Sequence, residues 1–300
     1  MALDLSLDGI QRFYAENHAK FPELQRIATY VETRTFTDAL GRSEDIGRLP
    51  ITLRQLKLLF FLTRKLQPAL TMETGFGGGA SAATMVISKG GIPNARHISI
   101  DPFRRGAGAG KLIHTYLNEN FGDRFEVIRN FSEYALPGFV PQFQKTLKLS
   151  FIDGGHWFEH ALMDFVFFDR MCPLGGVIVL DDVSAPAMES VANYVKANRP
   201  DYVSSEFPNT TVFERIAEDQ REWMSFRPFE VVNRKDWEMK PAASAESPAP
   251  QVAAAAPVAA EAVAPAVAEA VSRPAAEAVP IPVAAEPPAP GAAGEKSAGD

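Results

Sequence analysis

Apolar positions recur at helical spacing through Leu53, Leu56, Leu59, Phe60 and Leu66, behind a Thr52-to-Gln55 capping box, until Pro68 ends the run. Beyond it the pattern alternates between short apolar runs and helical spacing. It predicts strands near 70–74, 96–100, 125–128, 148–152 and 176–181, and helices near 79–89, 108–120, 156–171 and 186–198. Strand-rich segments near 201–205, 211–216 and 229–232 follow and are expected to add antiparallel strands at the end of the domain. Runs such as Val177-Ile178-Val179-Leu180 are apolar on both faces, which suits a mostly parallel sheet covered by helices on each side. Ile10, Phe13 and Tyr14 lie on one helix face, so residues 1–50 read as a helical extension or cap.

Composition divides the chain. Residues 241–300 hold 24 alanines and 11 prolines and no aromatic residue, too little to bury against the entropy of ordering, so a disordered tail is expected there. Residues 1–240 are then the folded domain, with 28 basic against 30 acidic side chains. Such a balance offers no basic stripe for nucleic acid and no cationic patch for a membrane surface. Cys172 is the only cysteine, so no intrachain disulfide forms and a reducing cytoplasm is the expected setting. No run of eighteen apolar residues occurs, and Met1 to Phe13 does not resemble a secretory leader.

Chemistry concentrates at the predicted strand ends. Between the first strand and the next helix stands Glu73-Thr74-Gly75-Phe76-Gly77-Gly78-Gly79-Ala80-Ser81. Glycines at 75, 77 and 79 permit positive φ and close approach to a ligand, and the following helix offers unpaired N–H groups. The second strand ends at Asp101, where a doubly wound fold presents an acid to ribose hydroxyls. Asp153 and the pair Asp181-Asp182 end two later strands, so the polar residues gather where ligands bind in such sheets. The fold class expected is α/β, Rossmann-like and doubly wound.

The ordered series Glu73-Thr-Gly-Phe-Gly-Gly-Gly, Ile98-Ser-Ile-Asp101-Pro, Phe151-Ile-Asp153-Gly-Gly-His156 and Leu174-Gly-Gly-Val-Ile-Val-Leu-Asp181-Asp182 resembles the class I S-adenosylmethionine-dependent methyltransferases. Over roughly residues 50–200 the spacing is similar to their small-molecule O-methyltransferase branch. The resemblance implies a methyl transfer from S-adenosylmethionine to an oxygen of a small hydroxylated acceptor, with a homodimer as one open arrangement. It implies cofactor contacts from Glu73, Gly75, Phe76, Gly77, Gly79, Ser81, Asp101, Ser132 and Asp153. Metal-dependent relatives place Mg²⁺ among three acids, here Asp153, Asp181 and Asp182; the alternative is that Asp153 meets the cofactor and the pair caps a helix. His156 is the candidate general base, with Asp153 beside it.

Rival readings attach to the same residues. Gly75-Phe-Gly77-Gly-Gly-Ala80 with Asp101 also fits the G-x-G-x-x-G/A pattern of NAD(P)-dependent oxidoreductases, although Glu73 favours a cationic ligand and no hydride-transfer pair is apparent. His156-Trp157-Phe158-Glu159-His160 matches the H-x-x-E-H arrangement of zinc hydrolases, without a third ligand at a recognisable spacing. A domain that has lost catalysis and recruits a partner through its tail is the third. Phe165, Phe167, Phe168 and Met171 read as core, Cys172 as a buried small side chain, and Arg104-Arg105 with the nearby glycines as a solvated loop.

Overall fold

In the computed structural model the described residues are 4–46, 51–103 and 110–232. The expected tail, the loop at Arg104-Arg105 and the boundary near residue 240 lie outside them.

The first helices form at the amino end. α1 (Leu7–Asn17) is capped by Ser6, whose hydroxyl accepts from the Gly9 amide, and α2 (Pro22–Thr33) opens with proline at its first position. A short antiparallel hairpin, β1 (Thr35–Thr37) with β2 (Ser43–Asp45), follows; the sequence pattern had not suggested it. α3 (Leu53–Leu66) starts with the predicted capping box, Thr52 and Gln55 each bonding the other's amide.

Strands and helices then alternate: β3 (Leu70–Thr74), α4 (Ala80–Ser88), β4 (Arg96–Ile100), α5 (Lys111–Phe121), β5 (Phe125–Ile128), α6 (Ser132–Phe143), β6 (Leu149–Ile152), α7 (Phe158–Met171), β7 (Val177–Asp181) and α8 (Pro186–Asn198). β8 (Tyr202–Phe207) and β9 (Thr210–Arg215) close the described part as a hairpin. The sheet order is β5-β4-β3-β6-β7-β9-β8, with β5 to β7 parallel and the last two strands antiparallel. This is the Rossmann-like, doubly wound arrangement that the pattern predicted.

Two departures have local causes. α6 was not predicted, because Pro137 and Pro141 lie within it and interrupt the helical signal. The segment 229–232 is not a strand; it runs past α8, where the Asn193 and Asn198 amides donate to main-chain carbonyls of Glu230 and Arg227.

The sheet separates two apolar layers. One packs α1 to α5 around Phe60, Phe76 and Phe151; the other packs α6 to α8 around Phe165, Phe168 and Met188. β3 and β7 are buried at every position, as strands covered on both faces require. The chain runs from β3 to β4 and β5 on one side and then crosses over to β6 on the other, so a crevice opens at the carboxyl ends of these strands. Among the described residues no helix is long and apolar enough to cross a membrane.

Candidate active site

The glycine loop continues β3 into α4. The Gly75 amide donates to Ile100 O at 2.8 Å, keeping the turn attached to β4. Gly75 has φ +89°, and a Cβ there would lie 2.1 Å from the Asp153 carbonyl oxygen. Its glycine is thus demanded by the protein's own backbone at the end of β6, a different reason from the ligand clearance expected. Gly77 has φ +47° and only open space where its Cβ would point, so the fold itself asks of this position only the left-handed backbone that glycine adopts readily.

Asp101 lies just past β4 and organises this loop. Its Oδ2 accepts from the amides of Phe76 at 2.9 Å and Gly77 at 3.0 Å, and its Oδ1 accepts from Phe103 at 2.6 Å. Three of about four acceptor positions on a carboxylate are occupied by main chain. Asp101 therefore holds the loop and its own turn, and about one acceptor position is left over among the described residues. The Phe76 side chain does not line the crevice: it is buried and packs against Phe103, His114 and Phe125. Ser81 is buried in the first turn of α4, where the helix leaves its leading amides without intrahelical acceptors.

Glu73 is fully buried within β3. Its Oε1 accepts from Ser99 Oγ at 2.7 Å; the Ser99 hydroxyl also meets His97 Nε2 at 3.0 Å, and His97 Nδ1 meets Thr71 Oγ1 at 2.7 Å. Burial lowers the His97 pKa, so this histidine is neutral in the chain of bonds. Glu73 Oε2 has no partner. An orphaned buried oxygen is uncommon, since nearly all buried polar groups in folded proteins are paired.

At the ends of β6 and β7 the side chains take over. His156 Nε2 lies 3.2 Å from Asp182 Oδ2 and 3.5 Å from Asp153 Oδ1. One ligand atom from each of these three residues falls within 4.8 Å of the others. Asp182 has φ +53°, which turns its side chain out of the strand toward the histidine, and Asn209 in the β8–β9 turn donates to its Oδ1 at 2.6 Å. Burial, with the Asp182 charge beside it, raises the Asp153 pKa to about 6. The hydrogen bond to Asp153, with the carboxylate charges around it, raises that of His156.

The expected acid trio of Asp153, Asp181 and Asp182 is not what assembles. The Asp181 carboxylate belongs to β7 and receives bonds from Gln55 Nε2 and, at 2.9 Å, from Thr210 Oγ1. Burial pushes it up to about 8, toward the protonated form. His156 takes its place in the cluster: β7 ends at Asp181, and the left-handed backbone of Asp182 turns that side chain to the histidine while Asp181 stays with Thr210. The H-x-x-E-H coincidence also dissolves. α7 begins only at Phe158, so His156 and His160 are not one helical turn apart, and His160 stacks on Trp157.

Ser132 opens α6. It sits beside Asp164 of α7, a buried acid raised to about 6 by its burial, with Thr74, Glu133 and His160 also near. Gln55, Asn209 and Asp164 are site neighbours that the sequence reading missed. A glutamine in a capping box, an asparagine in a turn and an acid within a helix each carry an ordinary local reading.

The strand order and the glycine loop with its paired acid define a Rossmann-like domain with two antiparallel strands at one edge. Residues 72–183 match the family model Methyltransf_24, described as a methyltransferase domain. No curated protein matches the chain. The fold is similar to that of cofactor-bound Rv0187 from MTB, with 16% identity and a TM-score of 0.50 over 71% of this chain and 99% of that one. The O-methyltransferase TomG from Streptomyces achromogenes, solved with SAM, aligns at 18% identity over 65% of this chain and 89% of its own, with a TM-score of 0.48. An O-methyltransferase from Bacillus cereus in complex with SAH aligns at 12% identity, covering 70% and 100%, with a TM-score of 0.48.

Proposed function

We propose that this domain transfers the methyl group of S-adenosylmethionine to an oxygen of a small hydroxylated metabolite. The observation that carries the reading is the His156 imidazole, set between Asp153 and Asp182 beside the glycine loop. The surroundings fit a cationic nucleoside donor: an open face at Gly77, a remaining acceptor position on Asp101, the unpartnered buried oxygen of Glu73, and the carboxylates of Asp153 and Asp182. When bound, S-adenosylmethionine supplies an electrophilic methyl on sulfur.

The chain's own part is positioning and proton removal. With its proton on Nε2, directed at Asp182, neutral His156 presents the Nδ1 lone pair for the acceptor's hydroxyl proton. The resulting imidazolium is held by two carboxylates, the logic by which a buried acid orients and supports a catalytic histidine. Asn209 holds Asp182 in place, and Gln55 with Thr210 does the same for Asp181.

A divalent cation such as Mg²⁺ also fits this cluster. Asp153, Asp182 and His156 would hold it, and it would lower the pKa of a bound hydroxyl. Nε2 would then be a ligand instead of the proton-bearing atom, so the two forms exclude each other. The NAD(P) reading has no observation in its favour. The proposed setting is the cytoplasm, consistent with the single buried Cys172, with residues 1–240 as the working unit and the tail as an appendage.

The test is to incubate the protein with S-adenosylmethionine and a panel of catechol-type and aliphatic hydroxylated compounds, with Mg²⁺ or with EDTA, and to measure S-adenosylhomocysteine. Turnover that survives EDTA assigns the base role to His156, and loss restored by Mg²⁺ assigns the metal role. Absence of donor binding by calorimetry would sink the whole reading.

A further inference from the structure

The loop that faces the proposed donor is rich in glycine, and glycine loses more conformational freedom on ordering than any other residue. Something must hold it. From the sheet side Asp101 grips the Phe76 and Gly77 amides. From the other side the grip comes from outside the Rossmann-like core. The Tyr30 hydroxyl of α2 donates to Gly78 O at 2.8 Å, across 48 residues of sequence, with both groups buried. Tyr30 itself is 1% exposed and is locked edge-on against Phe36 of β1, which packs in turn on Tyr116 of α5.

A second contact repeats the arrangement. Glu44 of β2 accepts from the Leu112 amide at 2.7 Å, in the first turn of α5. α5 has no side-chain cap of its own, since its N-cap is Gly110, so an acid from the amino-terminal layer supplies the missing acceptor. Gly110 is packed against the same loop: a Cβ there would lie 2.7 Å from Gly77 O. The two bonds thus reach two segments that touch each other.

We propose that residues 22–45 form a clamp that presets the donor loop, with Tyr30 and Glu44 as positioning residues for donor binding. The inference rests on the donor reading above. It assigns a role in donor affinity to a layer that the sequence had suggested only as an extension or cap.

Tyr30→Phe removes one hydrogen bond and keeps the ring packing. Titration of the full chain with S-adenosylhomocysteine is expected to show about fivefold weaker binding, the worth of one net hydrogen bond. The donor KM should rise in step while kcat at saturating donor stays as in the wild type and the thermal midpoint falls by only about 2 to 4 °C, as for one buried hydrogen bond. Glu44→Ala should weaken binding severalfold in the same manner, and it gives an independent arm if Tyr30→Phe fails to fold. Thr146→Val, which deletes an exposed hydroxyl beyond the end of α6 that donates to the Phe143 carbonyl, should leave affinity unchanged. Wild-type affinity in both Tyr30→Phe and Glu44→Ala overturns the clamp and leaves the donor reading standing. A wild type that does not bind the ligand ends both.

Discussion

At the ends of β3 and β4 the crevice is lined by main chain, with one carboxylate holding the loop amides; at the ends of β6 and β7 it is lined by side chains from four separate segments. The first half is compact in sequence, from Glu73 to Ser81 and then Asp101. The second gathers Gln55, Asp153, His156, Asp182 and Asn209, and depends on an antiparallel hairpin that arrives last. A cradle made of backbone recognises a shared part of a ligand and needs only permissive residues. A site made of side chains does the chemistry and depends on which residues the sheet brings together.

The contrast breaks most visibly at His156. His156→Ala should lower kcat by 10²- to 10⁴-fold, the usual worth of a general base, with donor affinity unchanged. Because its carboxylate neighbours raise the His156 pKa, the wild-type rate should rise with pH through and above the ordinary histidine range as the ring loses its proton, then level off. A pH-rate profile flat from 6 to 9 would remove the base role. A smaller loss is expected on the other side. Asp101→Ala should weaken donor binding by about 10- to 100-fold, the range for charge-assisted hydrogen bonds, and spare the rate at saturation. Calorimetry on this variant showing unchanged affinity would deny the cradle its organiser.

Asp164 sharpens the comparison from below. Its pKa rises from 3.8 to about 6 in the folded state because it is buried. The folded protein therefore keeps this proton between about pH 4 and 6 where the unfolded chain releases it. Stability from this group is full below pH 4 and is lost as pH rises through 6, by roughly 3 kcal/mol at most. Asp164→Asn should abolish that slope in urea denaturation, and an identical slope in the variant would contradict it. The smallest effect is expected from the tail: deletion of residues 241–300 should leave donor affinity unchanged by calorimetry.

The sequence alone fixed the alternation of strands and helices, because buried parallel strands and amphipathic helices have different periods over lengths a single segment can display. It also located the glycine loop and Asp101, which form one βαβ unit and need few distant partners. It missed α6, where Pro137 and Pro141 mask a helix that packing sustains. Only the tertiary structure decided which face each acid takes. Asp181 and Asp182 are neighbours in sequence yet point apart, one into the core with Gln55 and Thr210, the other to His156 and Asn209. Only the tertiary structure placed Tyr30 on the glycine loop. Such pairings span 26 to 126 residues, and they follow from how elements pack, which no local period encodes.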